Sequence, residues 1–239
     1  MQRIAGQIRK AVDDYHMIED GDRIAVGISG GKDSLVLAAG LALLSEYYPK
    51  KFEVVGITLD MGFKSDYTDI RKFCEGFGIE YHVKYTQIKT VVFDIRKESN
   101  PCSLCSRMRR GALNDFAKEL GCNKVALGHH RDDVLETFFL SLFYEGRLST
   151  FSPVTHMTRA GLYQIRPLIY VREYEVKSIV RDLGVPVLKS LCPADGFTKR
   201  EDMKTIIDDL DKKTGKGLRK RLFHAVTGLP DWRLEDEKQ

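Results

Sequence analysis

Strand-length apolar runs alternate with helix-length periodic runs through most of the chain, and this alternation restricts the fold more than any other feature of the sequence. Arg23-Ile-Ala-Val-Gly-Ile28 reads as a short buried strand, and Asp33 to Tyr48 as a mostly apolar helix. Phe52 to Leu59 is a strand, Tyr67 to Phe77 a helix and Glu80 to Lys84 a strand. Cys105 to Leu120 is a helix, Lys124 to Leu127 a strand and Asp132 to Tyr144 a helix. A looser stretch with Pro153 and Gly161 then leads to a helix at Arg172 to Leu183 and a strand at Val185-Pro-Val-Leu188. Strands separated by helices need crossover connections, so the expected fold is α/β, a doubly wound parallel sheet with helices on both faces. Ile4, Ile8, Ala11, Val12 and Tyr15 recur at helical spacing and predict an N-terminal helix within residues 1–22. Residues 23–195 then form the α/β domain, and residues 196–239 a basic, helical C-terminal appendage.

In such sheets a ligand sits beyond the carboxyl ends of the strands, where strand order reverses. Three polar motifs fall at predicted strand ends: Ser29 to Ser34, Asp60 to Phe63, and Gly128 to Asp133. The first, Ser29-Gly30-Gly31-Lys32-Asp33-Ser34, follows a strand and opens a helix. Its glycines allow a tight turn, the helix N-terminus supplies oriented N–H groups, and Lys32 adds a full charge. The hydroxyls of Ser29 and Ser34 are further donors for phosphate oxygens. A tight turn with an N-cap Ser would need neither the Lys nor the second Ser. The motif is neither a Walker A loop nor a dinucleotide fingerprint, whose glycine spacings are absent.

The second motif, Gly128-His129-His130-Arg131-Asp132-Asp133, closes a strand and leads into Glu136 and Thr137. Paired Asp residues beside a phosphate site suit metal coordination or substrate polarisation, although one of them could serve only as a helix cap.

Five cysteines, without a visible secretory signal, argue against a disulfide framework. Cys102 and Cys105 form a CxxC at a helix start, and Cys192 follows the last predicted strand. The pair alone fits a zinc half-site completed by His129 or His130, a redox dithiol that leaves Cys192 idle, or part of an iron–sulfur ligand set. Three thiolates suit a [4Fe–4S] cluster with one iron open. Cys74 and Cys122 read as small packed hydrophobes.

At 43% hydrophobic and 30% charged residues, the composition is that of an ordinary globular protein. The longest apolar run, Leu35 to Leu44, is well short of the ~20 residues that span a bilayer, so no membrane association and a cytoplasmic location are expected. The net charge of +4 is concentrated in two places. Lys212 to Arg221 holds six basic residues and no acid, and Arg107, Arg109 and Arg110 follow the CxxC. One such run is ordinarily a solvated helix face; two in a nucleotide-handling chain point to a polyanionic partner.

Ser-Gly-Gly-Lys-Asp-Ser resembles the PP-loop of the N-type ATP pyrophosphatases, which cleave ATP between its α- and β-phosphates and pass AMP to a substrate oxygen. The resemblance implies the adenine nucleotide alpha hydrolase-like (HUP) fold and a Mg²⁺–ATP site. Ser29, Gly30, Gly31, Lys32, Asp33, Ser34 and Gly128 would contact ATP, while Lys32, Asp33, Asp60 and Asp133 would act in catalysis. The combination of this loop, CxxC, the His-His-x-Asp-Asp stretch, Arg166-Pro-Leu-Ile and a lone downstream Cys is similar to the tRNA-cytidine 2-sulfurtransferases over roughly residues 1–210. It departs from them in Pro193-Ala-Asp-Gly196, after Cys192. The family resemblance implies a [4Fe–4S] cluster on Cys102, Cys105 and Cys192, and adenylation of the C2 oxygen of an anticodon-loop cytidine. It also implies replacement of that oxygen by sulfur. The partners are then tRNA, held by Arg107, Arg109, Arg110, Lys216, Arg219 and Lys220, and a sulfur donor, either a cysteine desulfurase or free sulfide. A homodimer is compatible with this. Two other readings share parts of the pattern: a PP-loop enzyme using a nitrogen nucleophile, and a non-catalytic adenine-nucleotide sensor. Neither uses the three cysteines.

Overall fold

The computed structural model describes residues 1–63, 65–97, 101–189, 191–192, 199–215, 217–229 and 232. Its centre is a six-stranded sheet in the order β3-β2-β1-β4-β6-β5. The strands are β1 (Asp22–Gly27), β2 (Phe52–Asp60), β3 (Glu80–Tyr85), β4 (Lys124–Ala126), β5 (Val154–Met157) and β6 (Leu162–Ile165). Neighbouring strands pair parallel throughout, except that β5 runs antiparallel to β6 at one edge. Strand order reverses at β1, which lies between β2 and β4, and this opens the crevice expected of a doubly wound sheet.

The helices are α1 (Gln2–Asp14), α2 (Lys32–Tyr47), α3 (Thr68–Gly76), α4 (Pro101–Glu119), α5 (Arg131–Leu140), α6 (Glu173–Leu183), α7 (Lys199–Thr214) and α8 (Leu218–Thr227). α2 is buried nearly all round because α1 and the sheet cover it, which explains its unbroken apolar sequence. The predicted helix over 132–144 ends at Leu140 and continues as a π-helical turn, Ser141–Glu145. No helix among the described residues is long and apolar enough to cross a membrane.

The last predicted strand is corrected. Residues 185–188 are not part of the sheet; β6, from the stretch read as loose, takes the place beside β4. Pro186 has no N–H to give to a sheet ladder, whereas the turn before Gly161 lets the chain fold back as a hairpin. The segment at 185–188 instead lies over the phosphate loop, where the Leu188 N–H donates to the Gly30 carbonyl at 2.9 Å.

The terminal helices share the main core. Ile4, Ile8, Ala11 and Val12 of α1, Met203 and Ile207 of α7, and Phe223 and Val226 of α8 belong to the same apolar cluster as β1 and α2. The boundary expected at 195/196 and the predicted tRNA contact Lys216 lie outside the described residues.

Candidate active site at the strand ends

The chain leaves β1 at Ile28 and turns through Ser29 to Gly31 into α2. Gly30 has φ +81°, a conformation that favours glycine, and a Cβ there would also press on Leu188 at 3.1 Å. Inside the turn the Ser34 hydroxyl donates to the Gly31 carbonyl at 2.9 Å and accepts from the Ser29 N–H at 3.2 Å. Ser34 therefore braces the loop through both its hydroxyl and its acceptor. The Ser29 oxygen accepts from the Gly31 N–H at 3.3 Å, and its hydroxyl donates to the Ser34 oxygen at 3.3 Å.

Lys32 Nζ lies 2.9 Å from Asp33 Oδ2 and 3.5 Å from Glu173 Oε1, at the start of α6. Burial acts to lower the Lys32 pKa, but the Asp33 and Glu173 charges outweigh it and the pKa is raised, so the side chain is a firm cation. Glu173 is itself half-buried, which acts to raise its pKa. Hydrogen bonds from Lys177 and Lys204 and the Lys32 charge prevail and lower it to about 2.

Two carboxylates at the strand ends each carry an unpaired oxygen. Asp33 Oδ1 and Asp60 Oδ2 are buried without a hydrogen-bond partner. The other Asp60 oxygen accepts from the Gly62 N–H at 2.6 Å, which orients the side chain at the end of β2. The Tyr67 hydroxyl lies near enough for the Asp60 charge to add to burial in raising its pKa, but it does not reach hydrogen-bond geometry with Oδ2. Buried carboxylate oxygens left open are costly without a cation. Asp33 and Asp60 thus fit a divalent ion accompanying a nucleotide.

Gly128 follows β4 and packs directly on the phosphate loop: a Cβ would stand 3.0 Å from Asp33 C and Ser34 N. Only glycine lets this strand end approach so closely. His130 caps α5, with Nδ1 accepting from the Asp133 N–H at 3.3 Å while Asp133 Oδ2 accepts from the His130 N–H at 2.8 Å. In the neutral ring the proton then belongs on Nε2, which faces Asp33 Oδ1 at 3.6 Å. Asp133 is already committed, to this capping box and to Arg200 of α7 at 3.2 Å. That differs from the metal or catalytic carboxylate expected of it. Asp132 is committed too: it accepts from the Glu173 N–H and from Arg219 of α8, each at 2.8 Å. Arg200 also reaches Glu136, whose pKa is raised to about 7 by burial and by the Asp133 charge.

Cys102 and Cys105 lie on the first turn of α4, one exposed and the other half-buried, and no described cysteine is in a disulfide. Cys105 Sγ sits 3.9 Å from Met61 Sδ, next to Asp60 at the end of β2. Burial raises the Cys105 pKa, with smaller contributions from Cys192 and Cys102, so the three sulfurs lie within electrostatic range of one another. No group of metal-binding side chains closes on a single point among the described residues. The donor set is three soft thiols beside the crevice, which fits an iron–sulfur cluster. Cys74 and Cys122 are buried, and burial pushes the Cys74 thiol up to about 12, as packed thiols require.

Arg107, Arg109 and Arg110 are exposed along α4, and Lys220 is exposed on α8. Arg219, expected as a tRNA contact, is paired with Asp132 and Asp208.

The PP-loop domain family matches residues 1–189. The chain belongs to that family. Two relatives named tRNA-cytidine(32) 2-sulfurtransferase are 36% identical to this PP-loop protein. The one from Pelobacter propionicus aligns over 99% of this chain and 89% of its own length. The one from Geobacter sulfurreducens aligns over 100% and 94%. Among solved structures, the U34-tRNA thiolase NcsA from Methanococcus maripaludis with its [4Fe-4S] cluster superposes with a TM-score of 0.73 at 26% identity, covering 94% of this chain and 76% of that one. NMN synthetase from Francisella tularensis, 16% identical with a TM-score of 0.56, shares the fold over 100% of this chain and 95% of its own.

Sequence reasoning missed Glu173, Lys204 and Arg200, which bind the phosphate loop and second motif to the C-terminal helices. An acid in the first turn of α6 was a faint signal for Glu173. Nothing local marks Arg200, whose partners lie more than sixty residues away along the chain.

Proposed function

We propose that this PP-loop protein is an ATP-dependent tRNA sulfurtransferase that replaces the C2 oxygen of an anticodon-loop cytidine with sulfur. The observation that carries this reading is a convergence at one crevice. Leu188 lies on the phosphate loop, Asp33 and Asp60 each keep one oxygen open at neighbouring strand ends, and Met61, next to Asp60, is 3.9 Å from Cys105. The names of the relatives and the thiolase likeness support it.

In this mechanism the Ser29–Ser34 loop and the first N–H groups of α2 cradle the β- and γ-phosphates. Asp33 and Asp60 would hold Mg²⁺. The cytidine C2 oxygen attacks the α-phosphorus, the bond to the bridging oxygen breaks, and pyrophosphate leaves with its charge met by Lys32. Gly128 lets the end of β4 pack against the phosphate loop, and His130 Nε2 faces Asp33 Oδ1 at 3.6 Å. The adenylated oxygen can then depart as AMP when sulfide bonds to C2. Cys102, Cys105 and Cys192 would hold an iron–sulfur cluster, whose chemistry is to supply that sulfide. Its source is a cysteine desulfurase or free sulfide, and a cytoplasmic location suits both. Exposed Arg107, Arg109, Arg110 and Lys220 contact tRNA phosphates, which position the RNA without reading its bases.

Anaerobic purification with iron analysis of variants tests the ligand set. Cys102→Ala, Cys105→Ala and Cys192→Ala should each lose iron, while Cys74→Ala, Cys122→Ala and Lys32→Ala keep it. Lys32→Ala should nevertheless lose ATP-dependent turnover by about ten- to a hundredfold, the worth of one charge-assisted contact. Full iron in Cys192→Ala would refute the three-cysteine set.

A further inference from the structure

Arg166 stands at the end of β6, two strands from the phosphate loop, and is only 6% exposed. A buried guanidinium is ordinarily held by a carboxylate. The partners of Arg166 among the described residues are neutral: the Ser152 carbonyl, the Thr155 hydroxyl at 3.1 Å, and the face of Phe151 at 4.9 Å. Its Nε is buried with no partner. Burial and the nearby Arg110 charge push its pKa down to about 10, and no acid acts in the opposite direction.

The surroundings repeat the same sign. The His129 ring lies 4.9 Å from the Phe151 ring at 31°, and its Nδ1 is buried and unpartnered. Burial, then Arg166, Arg200, His130 and Arg110, lower the His129 pKa to about 3, so the ring is neutral at pH 7. Arg110 lies on the helix that begins with Cys102 and Cys105, and His129 directly follows Gly128, which packs on the phosphate loop. This cluster of Arg166, His129 and Phe151 therefore lies between the cysteine helix and the nucleotide side of the crevice. Arg200 is neutralised by Asp133 and Glu136. Among the described residues, Arg166 and Arg110 are the cations of this cluster left without an acid.

We propose that this cluster is the seat of an RNA phosphate, one that flanks the nucleotide presented to the active site. Arg166 is its buried partner and Arg110 its outer one. The proposal rests on the sulfurtransferase reading for the identity of the RNA. A phosphate of ATP is the competing occupant, but ATP already has a loop and a lysine at the end of β1. Flat Phe151 and His129 beside the cations suit the base of a splayed nucleotide.

The test is a binding cycle with the full-length protein and an unmodified anticodon stem-loop RNA. Methylphosphonate is placed singly at each phosphate flanking the target cytidine, and Arg166→Met and Arg110→Gln are compared with the parent. One methylphosphonate position should weaken binding to the parent about tenfold, as for loss of a charge-assisted hydrogen bond. The same substitution should cost nothing further in Arg166→Met, while ATP affinity stays the same in both variants. Arg110 is exposed, so Arg110→Gln decides by the same cycle if Arg166→Met does not fold. Unchanged RNA affinity in the variants, independent losses at every position, no RNA binding by the parent, or a loss confined to ATP would overturn the proposal. Intact, phosphate-specific RNA binding without a thiolated product would strike the sulfurtransferase reading and leave the phosphate seat standing.

Discussion

The two ends of the sheet treat buried charge in opposite ways. At the amino ends of the strands, Asp22 is 3% exposed and fully answered: Lys124 Nζ lies 2.6 Å from one oxygen, and Asn123 Nδ2 donates to the other at 2.7 Å. Lys124 in turn donates to the Met17 carbonyl at 3.0 Å. At the carboxyl ends, Asp60 is 2% exposed, yet one of its oxygens has no hydrogen-bond partner, and the same holds for one oxygen of Asp33. A satisfied buried pair ties strands together. An unsatisfied one costs stability and persists where a ligand completes it. The difference separates the structural end of this PP-loop domain from the chemical end.

Substitutions at each end should break or sharpen that contrast. The largest effect on stability is expected from Lys124→Met, which strands Asp22 in the core. Removing one partner of a buried pair costs about 3–5 kcal/mol, measurable by urea unfolding. A loss under ~1 kcal/mol would mean that the amino end is not held by this pair.

Glu173 is the intermediate case, at the chemical end but answered by Lys32, Lys177 and Lys204. Its folded pKa is depressed to about 2, so its contribution is present above the ordinary carboxylate pKa and lost as pH falls through the folded value. Glu173→Gln should therefore lower stability at pH 7 by about 1–2 kcal/mol, after allowance for solvent screening. The difference should shrink between about pH 4.5 and 2. A deficit independent of pH would assign the effect to packing.

The smallest stability effect is expected from Asp60→Asn. The amide keeps the acceptor for the Gly62 N–H and removes an unpaired buried charge, so stability should change by less than ~1 kcal/mol or rise. Turnover should fall all the same. A loss of several kcal/mol, measured by thermal unfolding, would place Asp60 with Asp22 among the structural acids.

How far each end could be read beforehand follows from the range of its interactions. The phosphate loop was legible because strand, glycines, lysine and helix start are contiguous, and backbone geometry follows from residues 29–34 alone. Gly128 and the cysteines were legible as motifs. The partners of Asp132 and Asp133 were not, since Arg219 and Arg200 come from helices far along the chain. The basic run at 212–221 reads as one surface, but folding turns Arg219 inward and leaves Lys220 exposed. The β5–β6 hairpin was missed because its strands are only four residues long, while Val185 to Leu188 carried the stronger apolar signal.

The central claim is that the open acids and the three cysteines serve one reaction on RNA. Its most direct measurement is nucleoside mass spectrometry of unmodified tRNA incubated anaerobically with cluster-loaded protein, sulfide and ATP. The account predicts 2-thiocytidine that requires ATP, falls about ten- to a hundredfold in Lys32→Ala and is lost in Cys192→Ala. Iron-loaded protein that turns over ATP with tRNA present and yields no thiolated cytidine would contradict it.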